Sequence, residues 1–225
     1  MNLLLLIRGP IRRNMDECIS NINTMKGLLR DHNYSTLYVG WSDDKNIDCI
    51  NSKIADEFFF LRDPLIDKEY YIKNIPSFID TPPIGGREGL FHMNSLRTIL
   101  AMRNVCGFIK NNYPTVDYIV MTRADTFINF ESIDKFFDKE KYVMPTANIF
   151  GAQCSKKDEG MCDIFGVAVP DIFCKTWDIG ENYLGGMEDI FKISVGYECI
   201  PVYISEKNNV EKRAEPVSEL RVTYR

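Results

Sequence analysis

The stretch that most constrains this chain is Asp117-Tyr-Ile-Val-Met-Thr-Arg-Ala-Asp-Thr-Phe-Ile128. Its apolar run, Tyr118 to Met121, has the length and composition of a buried strand. The run stops at a polar cluster, Thr122-Arg123-Ala124-Asp125-Thr126. In an open α/β sheet, ligands sit beyond the carboxyl ends of the strands. A strand ending in Arg-x-Asp therefore presents one cation and one anion to that crevice. Asp125 can bind a divalent metal through oxygen, and Arg123 can pair with phosphate or hold the aspartate in place. The same two residues would equally serve as an ion pair capping a core strand.

The rest of the chain reads as strands and helices in alternation. Leu3 to Ile7 is a first strand, ending in Arg8-Gly9-Pro10, where glycine lets the backbone approach a ligand closely. Asn14 to Glu17 has the residues of a capping box, and Met15, Ile19, Ile22, Met25 and Leu29 form one apolar helical stripe. Thr36 to Trp41 is a second strand, which makes a right-handed βαβ unit with a parallel pair. It runs into Ser42-Asp43-Asp44, where an aspartate can hold a ribose hydroxyl and where the same residues equally suit a solvated turn. Trp41 stands at the strand end, either stacked on a base or packed in the core. Glu57 to Leu61 is a third strand. Residues 64 to 90, with four prolines and Gly85-Gly86, read as a long irregular loop. Met93 to Lys110 is a helix that carries Arg97, a candidate pyrophosphate contact.

Downstream, Glu131 to Phe137 reads as a short helix, and Lys141 to Pro145 and Asp163 to Val169 as strands. Pro170 opens a helix at its favoured first-turn position. In Tyr183-Leu-Gly-Gly-Met-Glu-Asp-Ile-Phe191 the two glycines predict a tight turn, after which Glu188 and Asp189 open a helix. Glu198 to Ile204 is expected to be the last strand, and the charged tail from Ser205 to Arg225 a solvated extension. The whole is expected to be α/β: a single Rossmann-like domain over residues 1–225 with a mostly parallel central sheet flanked by helices. Residues 1–125 would form a nucleotide-binding half, 126–204 an acceptor half and 205–225 a C-terminal extension.

Composition removes several classes. The net charge of −5, with no basic stripe, argues against nucleic acid as a partner. Seven cysteines without a CxxC pair read as free buried thiols in a reducing compartment. Two histidines, His32 and His92, are too few for a His-rich metal centre. The apolar run at Leu3–Ile7 is shorter than the ~7–15 residues of a signal-peptide core and the ~20 of a membrane span. A soluble, cytoplasmic protein without a transmembrane segment is expected.

Three pieces now stand in order: Arg8-Gly9-Pro10 after the first strand, a tryptophan-aspartate cluster after the second, and Thr122-Arg-Ala-Asp125 after a mid-chain strand. This set resembles the WavE lipopolysaccharide-synthesis family and the small chlorovirus-type glycosyltransferases, both of the GT-A fold. In such proteins a threonine- or lysine-arginine-x-aspartate element replaces the usual Asp-x-Asp motif. Gly185-Gly-Met-Glu-Asp189 is similar to the Gly-Gly-x-Glu-Asp element on the acceptor side of many GT-A enzymes. The resemblance spans residues 3–204. It implies a hexosyltransferase-type glycosyltransferase with a nucleotide-sugar donor, a UDP-sugar first among them, and a glycan acceptor.

Carried to these positions, the resemblance implies that Asp125 holds a Mn²⁺ or Mg²⁺ on the donor diphosphate. Arg8, Gly9, Pro10, Trp41, Asp43, Asp44, Arg97 and Arg123 would line the nucleotide sugar, and Glu188 or Asp189 would face the acceptor hydroxyl. The chain departs from the pattern in lacking an aspartate at 123 and any histidine after 92. Arg123, or basic residues of the tail such as Lys207, Lys212 and Arg213, would then take over part of the charge neutralisation. The alternatives are a nucleotidyltransferase on a similar sheet and a non-catalytic nucleotide- or sugar-binding module. An oxidoreductase is disfavoured, since no G-x-G-x-x-G follows the first strand.

Overall fold

The computed structural model describes residues 1–9, 15–41, 53–61, 68–77, 90–146, 164–193 and 199–222. Pro10, Asn14, Asp43, Asp44 and the Gly85-Gly86 pair, all singled out above, lie outside them, as does most of the segment 64–90. The chain opens with β1 (Asn2–Arg8), α1 (Met15–Leu28) and β2 (Asn33–Trp41). β1 and β2 pair in parallel, as a βαβ unit requires. Helix α1 forms because Cys18, Ile22 and Met25 bury one stripe, while Asp16 and Glu17 in its first turn and Lys26 in its last complement the dipole. Then follow β3 (Glu57–Leu61), α2 (Lys68–Asn74), α3 (Leu90–Asn112), β4 (Tyr118–Arg123) and β5 (Thr126–Asn129). A 3-10 turn at Ile133–Phe136 is capped by the Ser132 hydroxyl, which accepts from the Asp134 N–H. The remaining elements are β6 (Lys141–Thr146), β7 (Phe165–Ala168), α4 (Pro170–Trp177), α5 (Tyr183–Ile193), α6 (Cys199–Lys207), β8 (Glu211–Pro216) and β9 (Glu219–Val222).

The expected α/β architecture is present. Seven strands form one sheet in the order β3-β2-β1-β4-β7-β6-β8, and only β7 runs antiparallel to its neighbours. β1 is central because Leu4, Leu5, Leu6 and Ile7 are wholly buried, with alternate residues serving opposite faces. Leu3, Leu5 and Ile7 pack with Cys18, Ile22 and Met25 of α1. Leu4 and Leu6 pack in a second cluster with Ile99, Val105 and Cys106 of α3 and Phe173 and Trp177 of α4. Thus α1 connects β1 to β2 across one face, and α3 leads from β3 back to β4 across the other. The strand order reverses between β1 and β4. That point is where an open sheet splays its loops apart and leaves a crevice. No helix among the described residues is long and apolar enough to cross a membrane.

Three local expectations fail. Residues 199–207 form helix α6, not a strand, because Ile200 and Ile204, one helical turn apart, both bury in the cluster that contains α4. Gly185 and Gly186 lie inside α5 instead of in a turn. A Cβ on Gly186 would come within 2.7 Å of Ile179 Cγ1, so the glycine lets the preceding loop pack against the helix. Finally, the tail is mostly exposed as expected but is not an unpaired extension. β8 extends the sheet alongside β6, and β9 pairs antiparallel with β5 in a separate two-stranded ribbon.

Candidate functional site

The two strand ends that flank the reversal each carry an arginine. Arg8 closes β1, Arg123 closes β4, and the two are register partners. Leu4, Leu6, Ile119 and Met121 all face the α3–α4 cluster. By the two-residue period of a strand, Arg8 and Arg123 project toward that same face. Arg8 is 8% exposed, and its guanidinium lies 5.2 Å from the centroid of the Trp177 ring at the end of α4. The aromatic face offers the cation a favourable quadrupole where little water is available.

Arg123 meets Asp125 through two parallel bonds: Nε donates to Oδ1 at 2.9 Å and Nη2 to Oδ2 at 2.8 Å. Asp125 is 1% exposed. This fork fixes the plane of the guanidinium as well as its position. The backbone around it is tied down. The Ala124 N–H donates to the Arg8 carbonyl at 3.0 Å, and the Arg123 N–H to that of Ile164 at 3.1 Å. Gly9 has φ +87°, a left-handed conformation that a side chain would strain. The Tyr38 hydroxyl donates to the Gly9 carbonyl at 2.8 Å and so holds the turn against β2.

Beside this group, Trp41 ends β2 on the same face as Arg8 and is 8% exposed. Arg97 of α3 places its guanidinium 5.4 Å from the Trp41 ring centroid. The structure therefore brings together Arg8, Gly9, Arg123 and Asp125, and separately pairs Trp41 with Arg97. Trp177 and Tyr38, which support Arg8 and Gly9, were not visible as site residues. Trp177 reads as an ordinary core position of its helix, and only the fold places it under a strand-end arginine.

Glu188 and Asp189 occupy the middle of α5, not its start. The Ser77 N–H donates to Glu188 at 3.0 Å and the Ser77 hydroxyl at 2.7 Å, with Lys192 Nζ at 3.0 Å. Asp189 is exposed and accepts from the Tyr203 hydroxyl at 2.7 Å. Burial, and after it the Asp189 carboxylate, pushes the Tyr203 phenol up to about 12. Both carboxylates thus join α5 to other segments: Glu188 to the residues after α2, Asp189 to α6.

A divalent ion on Asp125 would have to displace a bidentate guanidinium from a buried carboxylate. Among the described residues, no three or more His, Cys, Asp or Glu side chains come together as metal ligands. The described residues do not fit a metal centre at this position.

No protein-family model matches the chain, and no curated protein does. Among solved structures, the apo form of mouse xyloside xylosyltransferase 1 is similar over 96% of this chain and 85% of that one, at 8% identity and a TM-score of 0.45.

The Ser77–Glu188 contact has a consequence of its own. Burial alone would raise the Glu188 carboxyl, but the two Ser77 donors and Lys192 outweigh it and hold the group below its ordinary value. A carboxyl depressed in the folded state stabilises the contact above the ordinary glutamate value of ~4.3. That contribution is lost as pH falls through the folded value. Glu188→Gln is expected to speed amide exchange of residues 70–77 about tenfold at pH 7, since charge-assisted bonds become neutral ones. In the wild type the same segment should loosen as pH falls below the ordinary glutamate value of ~4.3, after correction for intrinsic rates. Equal protection in both proteins at pH 7 would mean that α2 is held by other contacts.

Proposed function

We propose that this chain is a glycosyltransferase of the GT-A type, which moves a sugar from a nucleotide-diphosphate sugar to a hydroxyl of a glycan or similar acceptor. The observation that carries the reading is the register-paired Arg8 and Arg123 at the point where the strand order reverses. Breaking a sugar–phosphate bond leaves negative charge on the departing diphosphate. Fixed donors aimed at that charge lower the barrier because they need no reorganisation as it develops. Arginine suits the task through its planar fork, which matches phosphate oxygens two at a time. Gly9, held in a left-handed turn, lets the backbone come close to the same anion. Trp41, with Arg97 on its ring, packs in the core of the neighbouring strand, which supports the wall beside this pair and leaves base stacking to other residues.

The acceptor hydroxyl needs a group to take its proton. Glu188 is engaged by Ser77 and Lys192, and Asp189 by Tyr203. That engagement favours one second reading, a module that binds the nucleotide sugar without turning it over. The two are separated by titrating UDP calorimetrically, then incubating the protein with a panel of UDP-sugars and small glycans while following released UDP. Acceptor-dependent release supports the transferase. Tight UDP binding with no release from any donor supports the module, and no UDP binding removes the donor assignment altogether.

A further inference from the structure

We infer that the anionic diphosphate at this site is neutralised by the strand-end arginines instead of a divalent cation, and that Asp125 is a positioning residue that orients Arg123. The inference deepens the donor reading above and rests on it. Three observations carry it. First, both Asp125 oxygens are taken by Arg123 at 2.9 and 2.8 Å, and the carboxylate is 1% exposed. A buried bidentate pair resists replacement, because breaking it leaves a desolvated charge behind.

Second, the fork uses Nε and one side of Nη2. The fork sets the plane of the Arg123 guanidinium on the same face of the sheet as Arg8. Arg8, on the adjacent strand and the same face, supplies a second guanidinium one strand spacing away, about 5 Å at the backbone. Two phosphates of a diphosphate are bridged by one oxygen, and two guanidiniums at neighbouring register positions match them in number.

Third, the basic residues named from the C-terminal tail lie elsewhere in the fold. Arg213 of β8 donates to Glu215 and to the Lys135 carbonyl and forms an ion pair with Asp138, Lys212 pairs with Glu206, and Lys207 lies over the Tyr203 ring. β8 is also separated from β4 by β7 and β6, about 14 Å across the sheet.

The test uses inorganic pyrophosphate and UDP as probes, with uridine as the control that lacks phosphate. Wild-type protein should bind both anions in EDTA, with affinities within about twofold of those in Mn²⁺. Asp125→Asn keeps the shape but weakens the hold on Arg123. It should weaken pyrophosphate and UDP about tenfold in EDTA while leaving uridine affinity unchanged, which a merely structural role would not do. Should that variant fold poorly by its thermal melt, Arg123→Lys gives the same selective loss, since an ammonium cannot make the fork. Anion binding that is absent in EDTA and restored by Mn²⁺ only when Asp125 is present would overturn the inference and make Asp125 a metal ligand. Pyrophosphate bound in EDTA without any UDP or uridine binding would support the arginine site and refute the nucleotide donor.

Discussion

Gly166→Ala is expected to lower the free energy of unfolding by about 3 kcal/mol, at the upper end of overpacking costs. Gly166 lies in β7, and a Cβ there would sit 2.0 Å from the Tyr142 hydroxyl oxygen and 2.3 Å from Cζ. Neither partner can easily move. The Gly166 backbone is in register with Met121 of β4, and Tyr142 is wholly buried. The hydroxyl also accepts from Trp177 Nε1 at 3.3 Å. A urea titration would show the loss as a lower midpoint at unchanged slope. Adding Tyr142→Leu, which removes the obstructing ring, should restore part of the stability. A Gly166→Ala variant with the wild-type midpoint would show that β7 can shift away from the clash.

That same contact leads into the site. Gly166 admits Tyr142, Tyr142 holds Trp177, and Trp177 underlies the guanidinium of Arg8. Arg8→Ala is accordingly expected to weaken UDP about 100-fold or more, since charge-assisted bonds to phosphate are worth about 1.5–3 kcal/mol each. Arg8→Lys should fall between the two. It keeps the positive charge over Trp177 but loses the planar fork and its bidentate geometry. Calorimetric titration of UDP into the three proteins measures this, and uridine again serves as the phosphate-free control. Equal loss of uridine and UDP would mean that the turn after β1 has collapsed. Retained UDP affinity in Arg8→Ala would remove Arg8 from the site.

The strand framework was legible because it is written in apolar runs. β3 begins and ends where Glu57–Leu61 reads, and Arg8, Trp41 and Arg123 were visible as strand-end residues. That Arg8 and Arg123 are neighbours was not legible. Their adjacency depends on β4 crossing back to the far side of β1, which no local pattern encodes. The partner of Asp125 was likewise undecided, because Arg-x-Asp permits both a metal ligand and an intrachain fork. Only the side-chain geometry separates them. The helix at residues 199–207 was misread because Ile200, Val202, Tyr203 and Ile204 favour strands intrinsically. Packing of its one-turn repeat against the α3–α4 cluster overrides that preference. Gly185 and Gly186 were misread for a related reason: glycine signals a turn locally, whereas here its smallness serves close packing.

The ribbon of β5 with β9 bears on how the molecule is made. β5 starts at the residue after Asp125, and its partner is residues 219–222: Thr126 meets Val222, and Asn129 meets Glu219. During synthesis the βαβ unit of β1, α1 and β2 can assemble early from contacts close in sequence. The turn carrying Asp125 gains its flanking strand only after residue 222 has left the ribosome. Pairing across so long a separation is slow, since the loop must close before any bond rewards it. The nascent chain therefore carries an ordered sheet before it carries a finished site, and β5 waits as an open edge. A ribosome-stalled series ending before and after residue 222 would locate that last step.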